Sequence, residues 1–590
     1  MWLPSAELLK AETQAQSVFI AQLWHELLSP NSPDSFRAKA LDLPLLMEEL
    51  LRICGYALQE PKWISHVHLI CEEIKSHLPI HERLMINPVA ESALISISTY
   101  RLSQSELPRL VEQAQIFLDL TPHYVEELLN YARQEAEGKH KKQLMVALGG
   151  LATHVQSIGA GAESVLKIDD DMCSLRPEEL INELCGDVNR KPRDYLCYVA
   201  ITAPRSIASK LFSSPPLREV GGASFSPSPD AQAWYKARNE GIVVEWNVKS
   251  TSRLKAAESA LAEVFSLIHL HALYGNRVIA AASPRVLVKE EHHFFEIEVT
   301  PSRHFGLEPR RDSERLARER YNTLGARLNG RLANLLESHA LAVSASDARS
   351  AVFHLWTALE TLASGLGSGT IGERVANVVA PIVAWRRIDK IATYLAINGN
   401  ELRNHMGMDF DLTQMPHSSE RHIDRLDIFF GITGKNNNPV ILDFFKAFKE
   451  SPLLLNRLYR AWEECSCSNE LRKTLVLSRD RIRWQVMRFY RTRNLLVHYG
   501  ELDDFAMRLL ENAQYYLSTC VGRVLHDMMQ FSNWDVNTSL EHQRHRFESL
   551  LARLQSNPHA VRVKELLLYS KENIGDELVW PPPNKKAQSK

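Results

Sequence analysis

At 590 residues the chain is too long for one ordinary hydrophobic core, so about two to four domains are expected. Its 45% hydrophobic and 24% charged content is that of a soluble globular protein, and a net charge of −2 excludes a globally basic nucleic-acid coat, so any polyanion site must be local. Eight scattered cysteines form no disulfide framework, and Cys465 and Cys467 have no second pair for zinc, so reduced thiols and no metal or cofactor are expected.

The N-terminus, MWLPSAELLKAETQ, lacks the basic stretch and long apolar core of a signal peptide. The most apolar run, VANVVAPIVAW (375–385), is too short to cross a bilayer and contains Pro381, which predicts a cytoplasmic protein without membrane contact. Residues 1–140 read as a helical region. Leu8, Leu9, Phe19, Ile20, Leu23 and Leu27 are amphipathically spaced, and LPLLMEELLRICGYAL (43–58) continues the pattern. PHYVEELLNYARQEAEGK (122–139) opens on proline and acids and ends basic, as a helix does. His66 and His68 stand two apart with no carboxylate placed to complete a metal site, and are read as surface or core residues.

Residues 141–308 read as a mixed α/β module and a candidate sensor or regulatory unit. Gly149, Gly150, Gly159 and Gly161 match neither a phosphate-binding nor a dinucleotide-binding fingerprint, so a loop or hinge is expected there. Alternating β-branched and aromatic residues predict strands at 194–201, 241–248, 277–283, 284–290 and 293–300, with a helix at 253–273 and an exposed loop at 224–230. No residue in this module argues for chemistry.

From 309 to 535 the pattern returns to helix, opening with the charge-alternating stretch 309–337. Thr370 with Glu373, and Thr538 with Glu541, are spaced as capping boxes. Residues 415–439 read as an insertion-like loop, followed by helices at 440–465, 470–499 and 503–531. Residues 536–590 add a helix near 539–555, a weaker one at 560–570 and a tail, VWPPPNKKAQSK (579–590), expected to be disordered.

The stretch RTRNLLVHYG (491–500) carries the candidate chemistry. Upstream, Arg472, Lys473, Arg479, Arg481, Arg483, Arg488 and Arg491 face a single acid, Asp480, so the helix suits a polyanion. Arg481, Arg483, Arg488 and Arg491 are the candidate RNA contacts. Arg493 continues the apolar stripe of Ile482, Val486 and Phe489, while Asn494 and His498 share the neighbouring face. Arg493 and His498 lie roughly 140° apart around a straight helix, so either the helix ends near Gly500 or a second copy supplies half of the site. Arginine recognises phosphate and stabilises charge growing on its oxygens, histidine carries a proton near neutrality, and asparagine orients either one. The three fit metal-free RNA cleavage. On spacing alone so short a pattern fits better a capped, solvated helix end whose arginine meets a carboxylate. A second cluster, Arg403–Asn404–His405, has its side chains pointing three ways on a helix, and reads as supporting, although His405 could line an RNA path.

Arg493, Asn494 and His498 resemble the Arg-x(4–6)-His signature of HEPN domains, with the polar residue that often follows its arginine. AVFHLWTALETLASGLG (351–367), with Trp356, Leu359 and Glu360, resembles the first long helix of the Apea-like HEPN group. The likeness covers roughly residues 315–532, and nothing in residues 1–300 resembles a named family. It implies a mainly α protein with a C-terminal HEPN-like helical bundle. It further implies a metal-independent endoribonuclease acting as a homodimer on RNA, with tRNA among the candidate substrates. Arg493, Asn494 and His498 would be catalytic and Glu360 supporting. Relatives of this kind act in toxin-like, abortive-infection and other anti-phage systems, so a bacterial defence effector with a phage-derived trigger is expected. A non-catalytic RNA- or protein-binding scaffold is the alternative.

Overall fold

A computed structural model of the chain describes residues 3–11, 14–29, 41–81, 88–100, 103–138, 140–157, 168–186, 191–204, 212, 218–225, 228–238, 241–275, 280–299, 313–328, 330–345, 347–407, 418, 422–433, 439–465, 467–502, 506–556 and 566. The expected tail at 579–590 and, but for Leu566, the expected helix at 560–570 lie outside these residues. The expected loop at 415–439 is described at 418, 422–433 and 439 and is corrected there, since Arg425–Thr433 is a helix that buries Leu426, Ile428, Phe429 and Ile432. The fold is mainly α with one antiparallel sheet, and no helix of the described residues is long and apolar enough to cross a membrane.

The N-terminal region is helical because its apolar residues recur at helical spacing and its ends carry caps. Helix α1 (Ala15–Leu28) buries Phe19, Ile20, Leu23, Trp24 and Leu27, and Gln22 and Glu26 with them, so it is surrounded by protein. Helix α2 (Leu43–Gln59) starts at Asp42, whose carboxylate accepts the Leu45 amide at 3.0 Å, with Pro44 in its first turn. Helices α3 (Ile64–His81), α4 (Thr121–Glu137) and α5 (Lys141–Ser157) follow. Gly149 and Gly150 therefore lie inside α5 and not in a hinge, because leucine, methionine and alanine recur on the buried side of that stretch.

The central module is a sheet of β1 (Arg193–Thr202), β2 (Arg218–Val220), β3 (Ile242–Ser250), β4 (Ala281–Ala282), β5 (Arg285–Glu290) and β6 (His293–Glu298), ordered β2-β3-β1-β5-β6 with β4 beside β1. All pairings are antiparallel, with Cys197 opposite Trp246 and Val288. Strand alternation sends Tyr195, Cys197, Val199 and Ile201 to one face, where Ala257, Ala260 and Val264 of helix α6 (Arg253–Gly275) cover them. Tyr198 and Ala200 point to the other face, against Phe225 and Trp234.

The C-terminal helices include α7 (Ala348–Ala363), α8 (Ile371–Trp385), α9 (Pro452–Cys465), α10 (Ser468–Tyr499), α11 (Ala506–Gln530) and α12 (Val536–Ser556). Thr370 and Glu373 form the expected capping box of α8. The second expected box does not form. Helix α12 begins earlier, at Val536, and the Asp535 carboxylate accepts the Thr538 amide at 2.8 Å. The expected helix at 440–465 is two, Pro439–Ala447 and α9, with the break just before Pro452, whose nitrogen carries no hydrogen to donate. Helix α12 packs on α8, α10 and α11 and so belongs with them.

The two ends of the chain share one apolar cluster, which runs from Leu9 and Phe19 through Leu50 and Ile70 to Trp356, Val486, Leu517 and Phe547. The sheet has its own two clusters. Polar contacts bind the helical halves as well. In α9, Arg457 pairs with Glu26 at 2.5 Å, and Tyr394 donates its hydroxyl to the same carboxylate.

Candidate functional site

Helix α10 carries the candidate residues. It opens at Cys467, whose sulfur accepts the Glu470 amide, and closes at Gly500. Gly500 has φ 72°, a left-handed conformation that glycine adopts without a Cβ clash, and the Gly500 and Glu501 amides turn back onto the Leu496 and Leu495 carbonyls. The helix is continuous through the motif. Arg493 and His498 therefore stay on different faces, about 140° and about 7.5 Å apart along the axis by helical geometry.

The basic run upstream is not a surface stripe. Arg488 is fully buried and Arg491 is 3% exposed. Arg488 donates to Glu49 of α2 at 3.0 Å and to Glu73 of α3 at 2.5 Å, and Arg491 donates to Glu49 at 2.6 Å. The expectation that both arginines contact RNA is overturned, because their charges are spent on two carboxylates inside the protein. Burial works against the Glu49 carboxylate, yet the two guanidiniums hold it down at about 2. Burial raises Glu73, which bonds one of these arginines and not both. Arg481 turns to a cavity between the helical halves, while Arg483 remains half-exposed on α10.

Past this network the helix opens to solvent. Arg493 and Asn494 are half-buried, and the guanidinium donates to the Asn494 side-chain oxygen at 3.1 Å. His498 is exposed, flanked by Val497 and Tyr499, which are 44% and 41% exposed. Tyr499 donates to Glu60 at 3.0 Å, Tyr56 donates to Glu501 at 2.7 Å, and the two tyrosine rings lie 4.9 Å apart. Hydrogen bonds from Lys62 and Tyr499 hold the Glu60 carboxylate below its ordinary range, with a smaller contribution from the charge of His498. The end of the motif helix is thus tied to the turn after α2.

No family model, curated protein or solved structure matches the chain.

Glu360 is half-buried on α7 and accepts the indole N–H of Trp356 at 3.1 Å. Trp356 packs on Phe489 and Tyr490, one turn before Arg493, so Glu360 bears on the motif helix through that ring. The second cluster is structural, since Arg403 bonds Asn404 at 2.8 Å and His405 Nε2 bonds the Pro4 carbonyl at 2.7 Å. Among the described residues, no group of three or more His, Cys, Asp or Glu could hold a metal ion.

Three contributions are foreign to the local motif. Glu49 and Glu73 neutralise the arginines, and Glu60 faces the histidine end. The sequence signal for Glu49 is a carboxylate within the apolar run LPLLMEELLRIC, a position costly to bury unless paired. Glu60 has no such signal.

Proposed function

We propose that the chain is a metal-independent endoribonuclease whose site joins Arg493 and Asn494 of one copy to His498 of a second. The observation that carries this is the exposure of His498 beyond the buried ion pairs, on a helix whose arginine faces elsewhere. A two-fold axis near Asn494 would bring the two faces together, and the exposed Val497 and Tyr499 offer apolar surface to it. His498 takes the proton of a ribose 2′-hydroxyl and returns it to the leaving 5′-oxygen, while Arg493 balances charge on the phosphate. The product is a 2′,3′-cyclic phosphate.

A cytoplasmic role in bacterial defence, against a cellular RNA and in answer to a phage-derived trigger, rests on the HEPN resemblance. The bonds from Tyr56 and Glu60 to the motif end favour restraint by the N-terminal helices. Burial of Arg488 and Arg491 favours a second reading, a non-catalytic scaffold, because it removes two cations from any RNA path. One experiment separates the two. Purified protein incubated with total bacterial RNA in EDTA should cut it and leave cyclic-phosphate ends, and His498→Ala should lose all cutting while melting as wild type does. Equal cutting by the variant would falsify the assignment, and no cutting under any condition would leave the scaffold.

A further inference from the structure

We propose that the N-terminal helices hold α10 in two ways, one permanent and one reversible, and that the reversible hold is a clasp on the end that carries His498. The permanent hold is the buried network of Arg488 and Arg491 with Glu49 and Glu73. Its groups lie in a dry interior, where parting the charges costs far more than thermal motion supplies. The last buried residue of α10 is Leu495. Beyond it Leu496 is half-buried and Val497, His498 and Tyr499 are exposed, so little apolar packing fixes the last turn. Segments of that kind open most easily.

Two bonds cross between this turn and the N-terminal helices, one in each direction. Tyr56 of α2 donates to Glu501 at 2.7 Å, and Tyr499 donates back to Glu60 at 3.0 Å. The two rings meet between these bonds at 4.9 Å. On the N-terminal side the clasp has a firm base, because Tyr56 lies 5.4 Å from the ring of Trp63, which is 3% exposed. On the α10 side the residues before Tyr499 are exposed. Opening therefore lifts the end of α10 and leaves α2 in place.

Both bonds are open to solvent, and bonds of that kind bias an equilibrium by roughly two- to tenfold each. Together they keep the end closed, yet a binding event of ordinary strength can undo them. In the closed state the Tyr499 hydroxyl and one face of its ring are committed to its own chain. The Glu60 carboxylate, offset in part by Lys62 at 2.5 Å, stands within electrostatic reach of His498. Both features work against a second copy and a phosphate at that histidine, so opening favours cutting. This consequence for cutting rests on the ribonuclease reading, whereas the opening itself does not.

Hydrogen exchange on the full chain tests the clasp. Tyr56→Phe combined with Tyr499→Phe keeps both rings and removes both donors. The Gly500 and Glu501 amides, bonded to the Leu496 and Leu495 carbonyls, should then exchange about tenfold faster or more. Amides around Arg488 should keep their wild-type rates, and RNA cutting should rise about as much as the exchange at the helix end does. A melting curve checks the fold, and if the double variant does not fold, Tyr499→Phe alone should show the same pattern with a smaller rise. Unchanged exchange at Gly500 and Glu501 in a folded variant overturns the clasp. So does quickening that spreads equally to Arg488, which would make the two holds one. Faster exchange with slower cutting overturns the restraint and makes the clasp a support for His498. Faster exchange in variants that, like the wild type, cut no RNA keeps the clasp and loses the nuclease reading.

Discussion

His66 and His77 bring the behaviour of single residues into view. His66 is buried between the rings of Trp63 and Tyr490, and burial, with the charge of Arg491, pushes its imidazole down to about 3. Burial and the charge of Arg481 push His77 down to about 4. Both values lie below the ordinary 6.5, so the unfolded chain takes up these protons more readily than the folded one. Stability is then intact above about pH 7 and falls as pH drops from 6.5 towards 4. Glu49 adds its own loss only as pH falls below 4.5 towards 2. The denaturant midpoint, measured across this range, should decline steadily below about pH 6.5. A midpoint that holds flat to pH 4.5 would mean that neither histidine is buried neutral. In sequence His66 reads as a surface or core residue and His77 carries no signal, since burial is set by partners hundreds of positions away.

At the scale of elements, α10 is the helix its spacing predicts, but Arg488 and Arg491 are buried in it and it is not a continuous basic surface. Its apolar stripe of Ile482, Val486 and Phe489 is buried as expected. Arginine on a helix reads as exposed until its carboxylates are known, and Glu49 lies 439 positions from Arg488. The physical warning was present in both segments, each placing a charge among apolar neighbours, but one sequence does not say which charges meet. The consequence is measurable. Glu49→Ala leaves the buried Arg491 guanidinium without its carboxylate and Arg488 with Glu73 alone, and should cost about 3–5 kcal/mol in unfolding free energy. Arg488→Ala should likewise lower stability, with no change in the salt dependence of RNA binding. A stable Glu49→Ala protein whose RNA affinity shifts instead would put this helix face in contact with nucleic acid. The sheet was more legible, because alternation of Tyr195, Cys197, Val199 and Ile201 against Leu196, Tyr198 and Ala200 needs no distant partner to be recognised. Thr370 with Glu373 is a local device and was found, whereas at α12 a nearer aspartate, Asp535, does the capping.

At the scale of the whole molecule, the N-terminal and C-terminal helices read as separate regions in sequence but share one core, so the first 140 residues brace α10 from behind. The buried carboxylates of α2 and α3 fix its middle, and Tyr56 and Glu60 hold its end. What they leave exposed is Val497, His498 and Tyr499, with Arg493 half-buried on a different face. A second copy is the simplest completion of such a site, and mixing two inactive chains tests it most directly. Arg493→Ala and His498→Ala proteins, each inactive alone, are unfolded and refolded together at equal concentration, then assayed on RNA in EDTA. Half of the dimers are then mixed, and each mixed dimer keeps one intact site of two, so about a quarter of wild-type activity should return. No recovered activity in mixed dimers, or full activity from a monomeric wild-type protein, would contradict the composite site.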